Sequence, residues 1–147
     1  MTDWKALLLE DDAEIRGLLA RSHRIAVLGI RSGKVAHRPA HYVARYLADA
    51  GYDVVPVPVY EPEVTAILGR PVYRRLVDVP PPIDLVVVFR RSEDIPPHLD
   101  DLLAARPAGV WFQSGIRNEE VARRLAEAGI AVVQDRCTKV EHRFIER

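Results

Sequence analysis

Five short apolar runs punctuate the chain: Ile25–Leu28, Asp53–Val57, Leu85–Phe89, Val110–Phe112 and Ile130–Val133. Runs this short, rich in β-branched residues and without polar alternation, read as strands buried on both faces. Helical spacing lies between them. Val43, Tyr46, Leu47 and Ala50 share one face of a helix from Pro39 to Ala50, which Gly51 stops. Asn118 caps a second helix, Glu119–Ala128, with Val121, Ala122, Leu125 and Ala128 on its inner face. Ser92 reads as the cap of a turn, and Pro96-Pro97 open a helix that runs to Ala105. At the start, Trp4–Ala20 reads as one helix, part of a segment over residues 1–21 that packs on the core from outside. Ile67–Tyr73 is short and irregular, and Val79–Pro82 is a stiff connector.

Strands alternating with helices predict one α/β domain over residues 1–147. Its architecture is a three-layer, Rossmann-like, doubly wound parallel sheet of five to six strands with helices on both faces. Pro56 removes a ladder donor and sends the second strand to an edge, whereas Leu85–Phe89, the most apolar run, belongs in the centre. Right-handed crossovers bring all strand carboxyl ends to one side, where open α/β sheets bind ligands. That side comprises Gly29–Arg38, Val57–Tyr60, Phe89–Ser92, Gln113–Gly115 and Asp135–Cys137.

The stretch from Ile25 to Pro39 carries the clearest chemistry. A strand ends at Gly29, a polar loop follows, and Pro39 opens a helix whose positive dipole end faces the loop. Arg31, Lys34 and Arg38 add formal charge there. Gly29 and Gly33 fall short of a full dinucleotide fingerprint, and a solvated loop also accounts for the cations. Arg90-Arg91 read either as a solvated loop or as a phosphate contact. His37 and His41 have no acidic or thiol partner at metal-ligand spacing. Cys137 reads as a small buried thiol in preference to a nucleophile.

Composition narrows the classes. Hydrophobic residues make up 48% and charged residues 29%, as in ordinary globular proteins. A formal net charge of zero argues against a general nucleic-acid binder. The single cysteine excludes an internal disulfide and suits a reducing cytoplasm. No apolar run approaches the roughly 18 residues of a membrane span, and Met1–Lys5 lacks a signal peptide's basic start. A cytoplasmic protein is expected, and the N-terminal helix could pair with a copy of itself in a homodimer.

Several motifs fall in order along the expected ligand side. They are Val27-Leu28-Gly29, Arg38-Pro39, Gly51–Val57, Ile67-Leu68-Gly69, Val88–Ser92, Val110–Ile116 and Asp135-Arg136-Cys137 with Glu141-His142 behind. Together, over about Ser22–His142, they resemble the small single-domain CoA-binding proteins. Those are similar to the CoA-binding domain of the succinyl-CoA synthetase α subunit. The resemblance implies a fold that holds coenzyme A, or an acyl-CoA, through its phosphates and adenosine. Gly29, Ile30, Arg31 and Ser32 match the loop that receives phosphate, and Arg38 with Pro39 match the family's Arg-Pro pair. Val57 and Pro58 match the strand end beside the adenosine. Phe89 and Arg90 match the nucleotide and pantetheine path, with Arg91 next to them. Three positions depart from the pattern. Ile30-Arg31 replace Ala-Ser, Ala40-His41 replace Ser-Tyr, and Val59-Tyr60 stand where Asn is usual. The chain stops before the domain that supplies the synthetase's phosphohistidine, so a non-catalytic binding or regulatory module is expected. Two other classes stay open. An NAD(P)-binding protein would want an acid ending strand two, where Val57–Tyr60 stand with Glu61 beyond. An acyl-CoA enzyme would use Cys137.

Overall fold

The computed structural model describes residues 3–145; residues 1, 2, 146 and 147, including the Met1-Thr2 start of the expected N-terminal segment, lie outside that range. Seven strands follow in order: β1 (Arg24–Leu28), β2 (Asp53–Val57), β3 (Ala66–Ile67), β4 (Arg70–Pro71), β5 (Leu85–Val88), β6 (Gly109–Phe112) and β7 (Ala131–Val133). The helices are α1 (Asp12–Arg21), α2 (Pro39–Asp49), α3 (Leu99–Ala105), α4 (Glu119–Glu127) and α5 (Thr138–His142). Five strands form one parallel sheet in the order β2-β1-β5-β6-β7. The apolar runs sort themselves by period two. Ala26, Leu28, Val86, Val88, Val110 and Phe112 face Leu102 of α3 and Val121 and Leu125 of α4. Ile25, Val27, Leu85, Val87 and Trp111 face Leu18 and Leu19 of α1 and Val43 and Leu47 of α2. The sheet is therefore covered on both sides, a Rossmann-like α/β fold with β5 central and β2 at an edge, as the sequence predicts.

Four elements differ from expectation. Trp4–Ala20 is not one helix. Trp4–Leu7 make a single 3₁₀ turn, Leu8 bridges Val132, and the Leu9 N–H donates to Val132 O at 2.9 Å. The free edge of β7 takes up this leucine run, and α1 starts only where Asp11 accepts from Glu14 N. The apolar side of α1 (Ile15, Leu18, Leu19) packs on the chain's own sheet. Ser92 does not cap its turn; its hydroxyl donates to Arg117 O at 2.5 Å. The stretch Ile67–Tyr73, expected to be irregular, is instead part of the β3–β4 hairpin that starts at Ala66, held to the β2 edge by Tyr73 N–H donating to Pro56 O. The stretch after Cys137, which reads from sequence as a short tail through Phe144 and Ile145, carries α5, whose buried residues Thr138, Glu141 and His142 show no apolar periodicity. Glu141 is held instead by Arg16 and Arg136 at 3.0 and 3.2 Å.

Candidate functional site

Strand order reverses between β1 and β5, since β2 lies to one side of β1 and the later strands lie beyond β5. A cleft of about 710 Å³ opens at their carboxyl ends. Its floor is Gly29, at φ +87°. A Cβ there would stand 2.3 Å from Phe89 O, so only glycine lets the two strand exits meet.

The N-terminus of α2 forms one wall, with Arg38, Pro39 and Ala40 lining the cleft. No side chain caps this end, although Asp11 and Asn118 cap α1 and α4. Its first turn carries no acidic residue, so no side chain of α2 itself offsets the partial positive charge at this end. Tyr42 and Val43, one turn further on, continue the wall.

Four guanidinium groups surround this point, and their partners differ. Arg91 pairs with Asp94 at 3.3 Å and Glu93 at 3.7 Å. Arg31 pairs with Glu61 at 3.2 Å. Arg38 and Arg90 have no carboxylate partner among the described residues. Arg90 donates to the Tyr60 hydroxyl at 3.0 Å, and its Nε is buried without a partner. Tyr60 stands at the mouth, 49% exposed, with the Arg31 and Arg90 guanidinium carbons 5.2 and 5.4 Å from its ring centre.

The β1 loop is held from within. Glu61 accepts from Ser32 N at 2.9 Å, from the Ser32 hydroxyl at 2.5 Å and from Arg31 Nε at 3.2 Å. The Ser32 hydroxyl, its amide and Arg31 keep the Glu61 carboxyl below the usual carboxylate range against the opposing effect of burial. His41 Nδ1 lies 3.0 Å from Arg31 O, which places that imidazole in the loop's scaffold.

The far wall is Gln113, Ser114, Ile116 and Cys137. Gln113 is 3% exposed; its Oε1 accepts from Thr138 N at 3.0 Å and its Nε2 lies 3.9 Å from Cys137 Sγ. Asp135 accepts from Gly115 N at 2.6 Å and ties the exits of β6 and β7 together. Among the described residues no three His, Cys, Asp or Glu side chains gather as a metal ion would require.

Seven residues singled out from sequence surround this one cleft: Gly29, Arg31, Arg38, Pro39, Phe89, Arg90 and Arg91. Four do not line it. Ile30 is fully buried in the core on the α1/α2 side, Val57 lies in the opposite core, Pro58 is buried, and Ser32 is tied under Glu61. Tyr60, Gln113, Ser114 and Cys137 come from loops expected at this edge. Ala40 and Ile116 belong to the stretches that carry the family resemblance, whereas Tyr42 and Val43 lie outside the edge expected from sequence. The available signal for Tyr42 was its place four residues after Arg38, one helical turn along the same face.

A family model described as a CoA binding domain matches residues 23–143. The chain is 39% identical over 130 residues to the uncharacterized protein YneT of Bacillus subtilis (strain 168), covering 88% of this chain and 93% of that one. A solved structure from Thermus thermophilus, described as cell-free ID.343, is 43% identical with a TM-score of 0.83, covering 92% of this chain and 99% of that one. The dinucleotide-forming acetyl-coenzyme A synthetase 1 of Ca. Korarchaeum cryptofilum shares the fold at 22% identity and a TM-score of 0.60. The match covers 74% of this chain and 25% of that one.

Proposed function

This chain belongs to the CoA-binding domain family, and from that premise we propose that it binds coenzyme A or an acyl-CoA in the β1/β5 cleft as a non-catalytic binding or regulatory module. The observation that carries the reading is the uncapped α2 N-terminus flanked by Arg38 and Arg90, two cations without a carboxylate partner among the described residues. A phosphate there gains charge-assisted hydrogen bonds that nothing else in the site supplies. The buried, unpartnered Nε of Arg90 is a further donor at the same place. The cleft runs from these cations to Ile116 and Cys137, a less charged end suited to a pantetheine arm.

The other two classes fare worse. An NAD site needs an acid free to hold ribose hydroxyls, and the carboxylate of Glu61 is engaged by Ser32 and Arg31. An enzyme using Cys137 needs a base in reach of the thiol. The polar group beside it is the Gln113 amide, a donor, while His142 Nδ1 lies 2.9 Å from the Tyr46 hydroxyl. A free thiol at the cleft wall also fits the reducing cytoplasm expected for the protein.

Thermal unfolding with CoA, acetyl-CoA, NAD, NADP and ATP in parallel tests the reading. A ligand at a hundredfold excess over its Kd stabilises the fold by about 2.7 kcal/mol. The expected result is a rise in Tm with CoA and none with NAD. A rise with NAD alone, or with none of the five, refutes the proposal.

A further inference from the structure

Glu61 stands in the left-handed region at φ +59°, in a loop that is built and not loose. Arg74 donates to the carbonyls of Tyr60, Glu61 and Val64 at 3.1, 2.8 and 2.7 Å. Lys34 and Glu63 pair at 3.1 Å beside it. Thus fixed, the Glu61 side chain is only 9% exposed, and its two oxygens take one amide, one hydroxyl and one guanidinium from the β1 loop. Those are the donors that a loop between a first strand and its helix offers a phosphate. An anion of the chain itself already occupies them.

We infer that Glu61 is a specificity-determining residue: its carboxylate fills the anion position of the β1 loop and directs the phosphates of a bound nucleotide to Arg38, Arg90 and the α2 N-terminus. The inference rests on the CoA reading only for the identity of the nucleotide. A ligand that must seat a pyrophosphate in the β1 loop, as dinucleotides do in Rossmann sites, meets a buried negative charge where it needs donors. The resemblance to CoA-binding proteins gives that loop, through Arg31 and Ser32, the phosphate-receiving role; here those two residues hold Glu61 instead.

Calorimetric titration of inorganic pyrophosphate, and separately of CoA, tests this on wild type, Glu61→Ala, Glu61→Gln, Glu63→Gln and the double variant Glu61→Ala/Arg31→Ala. Vacating the loop should tighten pyrophosphate binding about tenfold in Glu61→Ala. Glu61→Gln keeps an acceptor for Ser32 while removing the charge, so a smaller gain of about threefold is expected there even where the alanine variant folds poorly. Glu63→Gln, which removes an exposed charge from the same loop, should change nothing, and the double variant should lose the gain. Pyrophosphate affinities within about twofold of wild type in both Glu61 variants, or a gain that survives the loss of Arg31, overturn the inference. Wild type that fails to bind CoA while the pyrophosphate gain appears overturns only the CoA reading.

Discussion

Replacing Gly29 with alanine tests the geometry on which the cleft depends. Two costs arise. A side chain at φ +87° costs about 1–2 kcal/mol. The new Cβ would also lie 2.3 Å from Phe89 O, where real contacts stay beyond 3.0 Å, so the two strand exits must part by at least about 0.7 Å. The bond that stretches first is Phe89 N–H to Leu28 O at 2.9 Å, while Gly29 N–H to Val57 O, also 2.9 Å and on the β2 side, is bent. Weakening one of them adds about 1 kcal/mol. The total, about 2–3 kcal/mol, should lower Tm by roughly 5–10 °C for a chain of this size. Gly129→Ala is the matched control. Its φ is +89° and nothing lies within 4 Å of its Cβ position, so it carries the first cost alone. Urea and thermal unfolding of the two variants isolate the contact term by difference. If Gly29→Ala loses no more stability than Gly129→Ala, the close approach of β1 and β5 is not what fixes glycine at the cleft floor.

Three further outcomes are expected. Arg38→Ala and Arg90→Ala should each weaken CoA binding about tenfold and reduce its salt sensitivity, measured by calorimetry at two ionic strengths; unchanged affinity at both would contradict their role. Arg24, followed by Arg70, holds the Asp53 carboxyl below the usual carboxylate range. With the folded pKa below the unfolded value, its contribution is complete above about pH 4 and is lost as pH falls through the lower folded value. Asp53→Asn should therefore cost about 1 kcal/mol at pH 7, and its deficit relative to wild type should shrink below about pH 4, read from urea unfolding across pH; a deficit independent of pH would refute the charge argument. Asn118→Ala removes the side chain that accepts from Val121 N at 3.0 Å and should cost about 1 kcal/mol; Gln at this position, too long for the cap, should not restore it.

The sheet was legible because its strands bury both faces and so carry uninterrupted apolar runs. Pro56 marked an edge and Leu85–Val88 the centre by the same logic. The cleft side followed from strand direction, which is why Gly29, Arg38 and Phe89–Arg91 meet there. What sequence did not reveal depends on partners distant in the chain. Leu8 and Leu9 are apolar residues of helical character until the open edge of β7 takes them. Helix α5 buries Glu141 and His142, whose partners Arg16 and Tyr46 lie more than 90 residues away, so no local period announces it. Arg31 and Ser32 look like free anion ligands in sequence. Only the fold brings Glu61, 29 residues past Ser32, against both.

The most direct test of the central claim is a titration of the ¹⁵N-labelled protein with CoA, followed by amide shifts. Binding in the β1/β5 cleft should move the amides of Gly29, Ala40, Tyr42, Phe89–Arg91 and Ser114–Ile116. The amides on the far side of the molecule, from Leu103 to Arg106 and from Ala128 to Ile130, should stay in place. An unchanged spectrum at millimolar CoA, or shifts centred on Leu8–Glu10 and Val132–Gln134 at the opposite edge of the sheet, would contradict the account.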